Sequence, residues 1–220
     1  DDPERRLLRE RVMGAMVGVG QDAKTRKRAR ELAAKYLGVD AAGLQRDAVD
    51  PNLAGLVMYV YGEEANAKDF DALLYRFDNA RDEVVRGHML MALGAARQPD
   101  VAARARELVL HPVLKANEGM QPLQLQLHGT ETRRDAWAWL VEHIDELMEM
   151  LPPRRAGWLP SAATVFCSEA DAAATDALFR PRLQQMAGGK RELDKALEEI
   201  RTCAALRQAQ TPSIQARFKP

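Results

Sequence analysis

Cysteine is nearly absent from this chain, histidine is sparse, and neither is spaced for metal binding. The 220 residues hold two cysteines, Cys167 and Cys203, and four histidines, His88, His111, His128 and His143. Neither cysteine belongs to a C-x-x-C pair or stands near a histidine at zinc-ligand spacing. No two histidines fall three or four residues apart, as helical metal ligands do. Net charge is missing too: 32 basic residues cancel 32 acidic ones, so no global field draws in a nucleic acid or an anionic membrane. No apolar run approaches the roughly 20 residues that cross a bilayer, and no charged-then-apolar leader opens the chain. The expectation is a soluble protein, cytoplasmic, periplasmic or secreted. Alternating strand patterns are lacking, and Val and Ile are sparse beside Ala, Leu and Arg, which favour helices. The chain begins at Asp1 without a methionine, which predicts a product of processing or a piece of a longer polypeptide.

What is present is helical periodicity in one segment after another, enough apolar residues at 46% to build a continuous core. Leu8, Val12, Ala15, Met16 and Val19 form the first stripe, and Ala29, Leu32, Ala33, Tyr36 and Leu37 the second, each predicting a helix with one wet face. Further stripes follow at Leu53, Leu56, Val57 and Val60, at Phe70, Leu73, Leu74 and Phe77, and at Val85, Met89, Ala92, Leu93 and Ala96. Val101, Ala105, Leu108 and Val109 make a short one. Trp137, Leu140, Val141, Ile144, Met148 and Leu151 make a strongly marked one, and Leu193, Ala196, Leu197, Ile200 and Ala204 the last. Helix boundaries are signalled by Gly20 before Asp22, Gly38 before Asp40, Pro51, Gly62, Asn79, Pro99 and Gly129 before Thr130. Ser168 and Asp171 have the form of a capping box, so a helix starts near Glu169, and it cannot run smoothly through Pro181. The fold class is all-α: stacked antiparallel helix pairs in a curved, HEAT-like α-solenoid, one helical domain over residues 1–220, with no strict repeat.

No residue carries a catalytic or metal-binding assignment. His88 lies beside an apolar stripe, where a satisfied, partly buried histidine is expected. Around His143 the order V-E-H-I-D is neither H-E-x-x-H nor its inverse. Cys167 precedes a capped helix without a base partner, so it reads as packed rather than nucleophilic. With Cys203 it is compatible with one disulfide in an oxidising compartment, and equally with two buried thiols. Gly188-Gly189 reads as a helix terminator, since no lysine-serine pair of a phosphate loop follows. The basic run Lys24, Arg26, Lys27, Arg28 and Arg30 reads as a solvated helix face, without the interleaved aromatics of a single-strand binder. Methionines such as Met16 and Met89 read as gap-filling core.

Several segments, taken in order, resemble one architecture. They are L-L-R-E-R-V-M-G-A-M at 7–16, A-R-E-L-A-A-K-Y-L at 29–37, P-N-L-A-G-L-V-M-Y-V-Y-G at 51–62 and R-G-H-M-L-M-A-L-G at 86–94. G-T-E-T-R-R-D-A-W-A-W-L-V-E-H-I at 129–144 follows, then T-V-F-C at 164–167 and R-E-L-D-K-A-L-E-E-I at 191–200. This series resembles the helical C-terminal domain of zinc aminopeptidases of the puromycin-sensitive and endoplasmic-reticulum aminopeptidase type. Trp137 takes the position of that family's tryptophan, while His143-Ile144 stands where Asn-Trp is usual and residues 114–127 match loosely.

The resemblance implies that zinc, held by H-E-x-x-H and a later glutamate, and the G-x-M-E-N motif lie in a preceding catalytic domain absent from this sequence. It implies a C-terminal lid that shapes the substrate cavity and contacts the distal part of a peptide, partnered by the catalytic domain of the same polypeptide. No cofactor and no catalytic residue are expected in this chain, and no substrate-binding residue is assigned. The first helix offers Leu7, Leu8, Val12 and Met16 for docking onto a preceding domain. The alternative is a stand-alone helical-repeat scaffold for protein interaction, which requires polar capping helices at both ends.

Overall fold

The computed structural model describes residues 2–39, 43–115 and 117–218. Among them every regular element is a helix, in the arrangement of an all-α helical-repeat fold. Backbone packing divides the chain into two compact units, Asp1–Thr132 and Arg133–Pro220.

The first unit contains α1 (Pro3–Val17), α2 (Ala23–Leu37), α3 (Pro51–Glu63), α4 (Ala67–Asn79), α5 (Glu83–Gly94), α6 (Pro99–Glu107) and α7 (Gln121–His128). The first five begin on an acidic or amide cap: Asp2, Asp22, Asp50, Asn66 and Asp82 each accept a backbone N–H from the following turn. Each such cap contributes about 1 kcal/mol. Gly38 closes α2 in the left-handed conformation at φ 63°. Gly20, Pro51, Asn79, Pro99 and Gly129 all stand at helix boundaries as their sequence context predicts. Asp40, the expected start signal after Gly38, lies outside the described residues.

Packing follows an alternating order. Helices α1, α3, α5 and α7 contact one another in succession, while α2 lies on α3, α4 on α5 and α6 on α7. The shared core holds Met58, Phe70, Leu73, Phe77, Leu90 and Leu93, all essentially solvent-free, each worth roughly 1.5–3 kcal/mol in removed apolar surface. Close approach of the backbones requires glycine at two crossings. A Cβ on Gly62 would lie 2.0 Å from the Ala92 carbonyl oxygen, and one on Gly94 would lie 2.8 Å from Leu125 Cδ1 and 3.0 Å from Pro122 Cα. Gly62 thus stands at the end of α3, as its sequence context predicts, and also admits a neighbouring backbone. It sits inside the last turn of α3, where that turn touches α5.

Of the residues of α1 only Val17 is buried, and the stripe offered for docking is exposed, Leu8 at 61% and Val12 at 48%. Met16 is exposed with it, whereas Met89 is buried as expected of a core methionine. Helix α7 has no counterpart among the expected stripes, although Pro122 in its first turn and Leu123 and Leu127 one turn apart are its signals.

The second unit contains α8 (Arg133–Glu142), α9 (Ile144–Met150), α10 (Pro153–Ala156), α11 (Glu169–Phe179) and α12 (Gly189–Arg217). The stripe from Trp137 to Leu151 predicts one helix and is two. His143 leaves the helical region at φ −101° and ψ 14°, its ring stacked on Trp139 at 4.4 Å and its Nδ1 bonded to the Trp139 carbonyl at 2.9 Å. The buried set becomes Ala136, Trp139, Leu140, Ile144 and Leu147, and Val141 is left 40% exposed. Helix α11 starts at Glu169 on the Ser168 cap and gives way to a 3-10 turn, Arg180–Gln185, that accommodates Pro181. Gly188, at φ 79°, opens α12 rather than terminating a helix. Cys167 and Cys203 are joined as a disulfide, resolving the alternative that the sequence leaves open.

Replacing Gly62 by alanine is expected to lower stability by about 1–3 kcal/mol, because backbone must move to admit the methyl. At Gly14, inside α1 with open space around the missing Cβ, alanine is expected to raise stability by roughly 0.5–1 kcal/mol. Urea unfolding midpoints of the two variants test the pair; equal shifts would refute the close-crossing argument.

Candidate functional site

The most developed polar site of the first unit grows from the α3–α5 crossing. Glu63, next to Gly62, is 4% exposed, and its carboxylate is met by Arg26 from α2 at 2.8 Å and by Arg97 from the turn after α5. Arg26 also donates to Glu64 at 2.9 and 3.2 Å and to the Val17 carbonyl at 2.9 Å, while Arg30 reaches Glu64 at 2.8 Å. Burial works against the Arg26 charge, but the Glu63 and Glu64 carboxylates outweigh it and raise its pKa above the ordinary value. At Glu64 burial is likewise overcome, by Arg30 and Arg26, and the carboxyl is held below its usual range. Burial, reinforced by the Asp69 carboxylate, pushes the nearby Tyr61 hydroxyl up to about 12. Arg26, expected on a solvated face, is thus the link that ties the end of α1 and the start of α2 to α3. Its partner glutamates lie more than thirty residues on, a distance at which local charge patterning gives no signal.

A second buried pair fixes the segment before α7. Arg86 of α5 donates to both Glu118 oxygens, at 2.7 and 3.0 Å, to the Phe77 carbonyl at 2.9 Å and to the Val113 carbonyl at 2.7 Å. Its guanidinium lies 3.8 Å over the Phe77 ring. Glu118 also accepts the Lys115 amide at 2.9 Å. Desolvation opposes the Glu118 charge, but Arg86 and the Lys115 amide more than compensate, holding the carboxyl below the ordinary glutamate range. Every polar group of the pair points into the fold, so the arrangement holds structure and presents nothing to a ligand.

The histidines are dispersed among local tasks. His88, half-buried, bonds the Tyr36 hydroxyl through Nδ1 at 3.1 Å, and burial lowers its pKa. His111 Nδ1 accepts the Val113 amide at 3.3 Å and His128 Nδ1 meets the Gln124 carbonyl at 2.8 Å. Among the described residues no group of three or more His, Cys, Asp or Glu side chains could hold a metal ion. No helix among them is long and apolar enough to cross a membrane.

In the second unit, the family-like tryptophan Trp137 presents its ring edge-on to Phe166 at 5.4 Å and to Phe179 at 6.3 Å. Arg134 stacks on Phe166 at 4.4 Å and grips Asp171 at 2.5 and 3.2 Å. Asp171 also takes the Ser168 hydroxyl at 2.6 Å, so that α8, the 164–167 stretch and the start of α11 are joined through one carboxylate. Arg134 first, then Ser168, outweigh its partial burial and keep Asp171 below the usual carboxylate range.

The first unit also presents an exposed apolar feature on α1. Leu7, Leu8, Val12 and Met16 line α1 at exposures of 57%, 61%, 48% and 37%. Side chains three and four apart on a helix share a face, so Leu8, Val12 and Met16 make a contiguous stripe of the sort that marks a contact surface, with Leu7 at its edge.

Comparison with known proteins agrees with the series of motifs. The profile of the family described as ERAP1-like C-terminal domain matches residues 1–202. Aminopeptidase 2 of Candida albicans (strain SC5314 / ATCC MYA-2876) is 26% identical over 129 residues, which are 57% of this chain and 13% of that protein. The chain therefore spans a small fraction of its curated relative's length.

The Glu118 carboxylate, with a folded-state pKa below the ordinary 4.5, contributes stability that is complete above that value and is lost as pH falls through the lower folded-state value. Glu118→Ala, which leaves Arg86 buried and uncompensated, is expected to cost about 3–5 kcal/mol at neutral pH. The gap from the parent chain should narrow below about pH 4. Chemical denaturation of both proteins across that range is the check, and a gap independent of pH would contradict the assignment.

Proposed function

Because the chain belongs to the family of ERAP1-like C-terminal domains, we propose that it is the C-terminal lid of a zinc aminopeptidase that removes N-terminal residues from peptides. The observation that carries this reading is the family match over residues 1–202, nearly the whole chain. In this reading hydrolysis belongs to the catalytic domain of the same polypeptide, which supplies zinc to polarise the scissile carbonyl and activate water. The residues described here offer no ligand set for that ion, and no step of bond cleavage is assigned to them.

The domain acts by enclosure. Stacked helices wall one side of the substrate cavity, and exposed Arg and Lys side chains attract the carboxylate end of a peptide while the amino end sits at the catalytic centre. Closure removes water and keeps larger folded proteins out. The buried ion pairs at Glu63 and Glu118 suit this role because a wall must keep its shape while a substrate presses on it. The exposed stripe of Leu7, Leu8, Val12 and Met16 suits docking onto the preceding part of the enzyme, where it would be covered.

Two experiments test this reading. The chain alone is expected to release no product from aminoacyl anilide substrates, with or without added zinc; turnover abolished by a chelator would overturn the reading. The double substitution Leu8→Asp, Val12→Asp is expected to leave the isolated chain's stability within about 0.5 kcal/mol, since both side chains are exposed. In the full-length enzyme it should lower kcat/KM for peptides by roughly tenfold or more, through loss of apolar docking surface. An unchanged kcat/KM would remove α1 from the docking surface.

A further inference from the structure

The cysteine pair sits where α12 changes character. From Gly189 to Ile200 the helix is held by Leu193, Ala196, Leu197 and Ile200, all buried. Beyond Ile200 nothing is buried through Phe218, and only Ala204 and Thr211 are half-covered. The helix nevertheless continues to Arg217, with Pro212 inside it, where one i to i−4 hydrogen bond cannot form. A helical segment of about 15 residues without tertiary packing is marginal in water. The family match ends at residue 202, so this arm lies outside the segment shared with the family.

The other half of the bond is anchored firmly. The Cys167 amide donates to the Asp171 carboxylate, the carboxylate that also holds Ser168 and Arg134. Phe166, the preceding residue, is 3% exposed and packed against Trp137. An open groove runs between Cys167, Ser168 and Glu169 on one side and Ala204, Gln208 and Pro212 on the other. An ion pair between Arg201 and Glu169 also crosses it at 3.4 Å, with side chains 53% and 72% exposed, a geometry worth little in water.

We propose that Cys167 and Cys203 form a redox latch in which the disulfide holds the helical arm 203–218 against the start of α11, and a dithiol reductant releases it. Cys203, the more exposed residue of the pair, is the point of entry: a thiolate of the reductant attacks Cys203 Sγ, the bond between the two sulfurs breaks, and Cys167 leaves as a thiolate that takes up a proton. The second thiol of the reductant then attacks the mixed disulfide, freeing Cys203 as a thiol and leaving the reductant as its own disulfide. Two electrons pass from the dithiol to the cysteine pair. The body of α12 stays in place, because its hold on the unit is apolar and lies on the other side of the bond.

Hydrogen exchange read by mass spectrometry on the full chain, with and without dithiothreitol, tests this. On reduction the amides of 203–218 are expected to lose protection by roughly tenfold or more, while those of 189–200 keep theirs. Cys203→Ser and Cys167→Ser should each reproduce the reduced pattern without reductant, and oxidised dithiothreitol should restore the protected pattern in the parent chain. Identical exchange of 203–218 in both states would overturn the latch. So would loss of protection spread evenly through α11 and α12, which would make the bond a staple of the whole unit, or two free thiols in protein purified without reductant.

Discussion

The contact of α3 with α5 at Gly62 governs the first unit. With no side chain there, the last turn of α3 lies against the Ala92 backbone, and Glu63 is carried into the interior by the same approach. A buried carboxylate demands cationic partners, and Arg26 and Arg97 supply them from before and after. One missing methyl thus brings together the end of α1, the start of α2, the end of α3 and the turn that follows α5. Gly94 repeats the device one layer on, where α5 meets α7, and Gln126 then reaches back to the Gly94 and Ala96 carbonyls at 2.6 and 2.7 Å.

The second unit is organised differently, around a carboxylate near its surface. Asp171 serves at once as the third residue of a helix N-terminus, the partner of Arg134 and the acceptor of the Ser168 hydroxyl. The aromatic cluster of Trp137, Phe166 and Phe179 packs beneath those contacts. The 3-10 helix Leu159–Val165 and the residues after it are thereby given a fixed course, and the cysteine at their end can meet a helix that starts more than twenty residues later.

These interactions account for the division between what the domain holds rigid and what it offers. Charged groups with the strongest partners are internal, and histidines are spent singly on neighbouring backbone and hydroxyl groups. Exposed apolar side chains include Leu8, Val12 and Met16 on one face of α1.

Much of the fold was legible in the chain. Helix stripes such as Phe70, Leu73 and Phe77 or Leu193, Leu197 and Ile200 announce themselves because burial on one side imposes a period of 3.6, and Asp, Asn and Ser caps mark where they start. The serial motifs identified the family, since each records a local packing need in its own order. Three things needed the tertiary structure. Whether a stripe is core or contact surface depends on what lies opposite, so α1 and the second helix share the same periodicity although one stripe is exposed and the other buried. Whether a glycine at a helix end also admits a neighbour depends on a second backbone, as at Gly62. Whether an arginine is solvated or buried, and whether Cys167 meets Cys203, depends on partners more than thirty residues away. Periodicity is a local property of the chain, whereas pairing is decided only when the chain is packed.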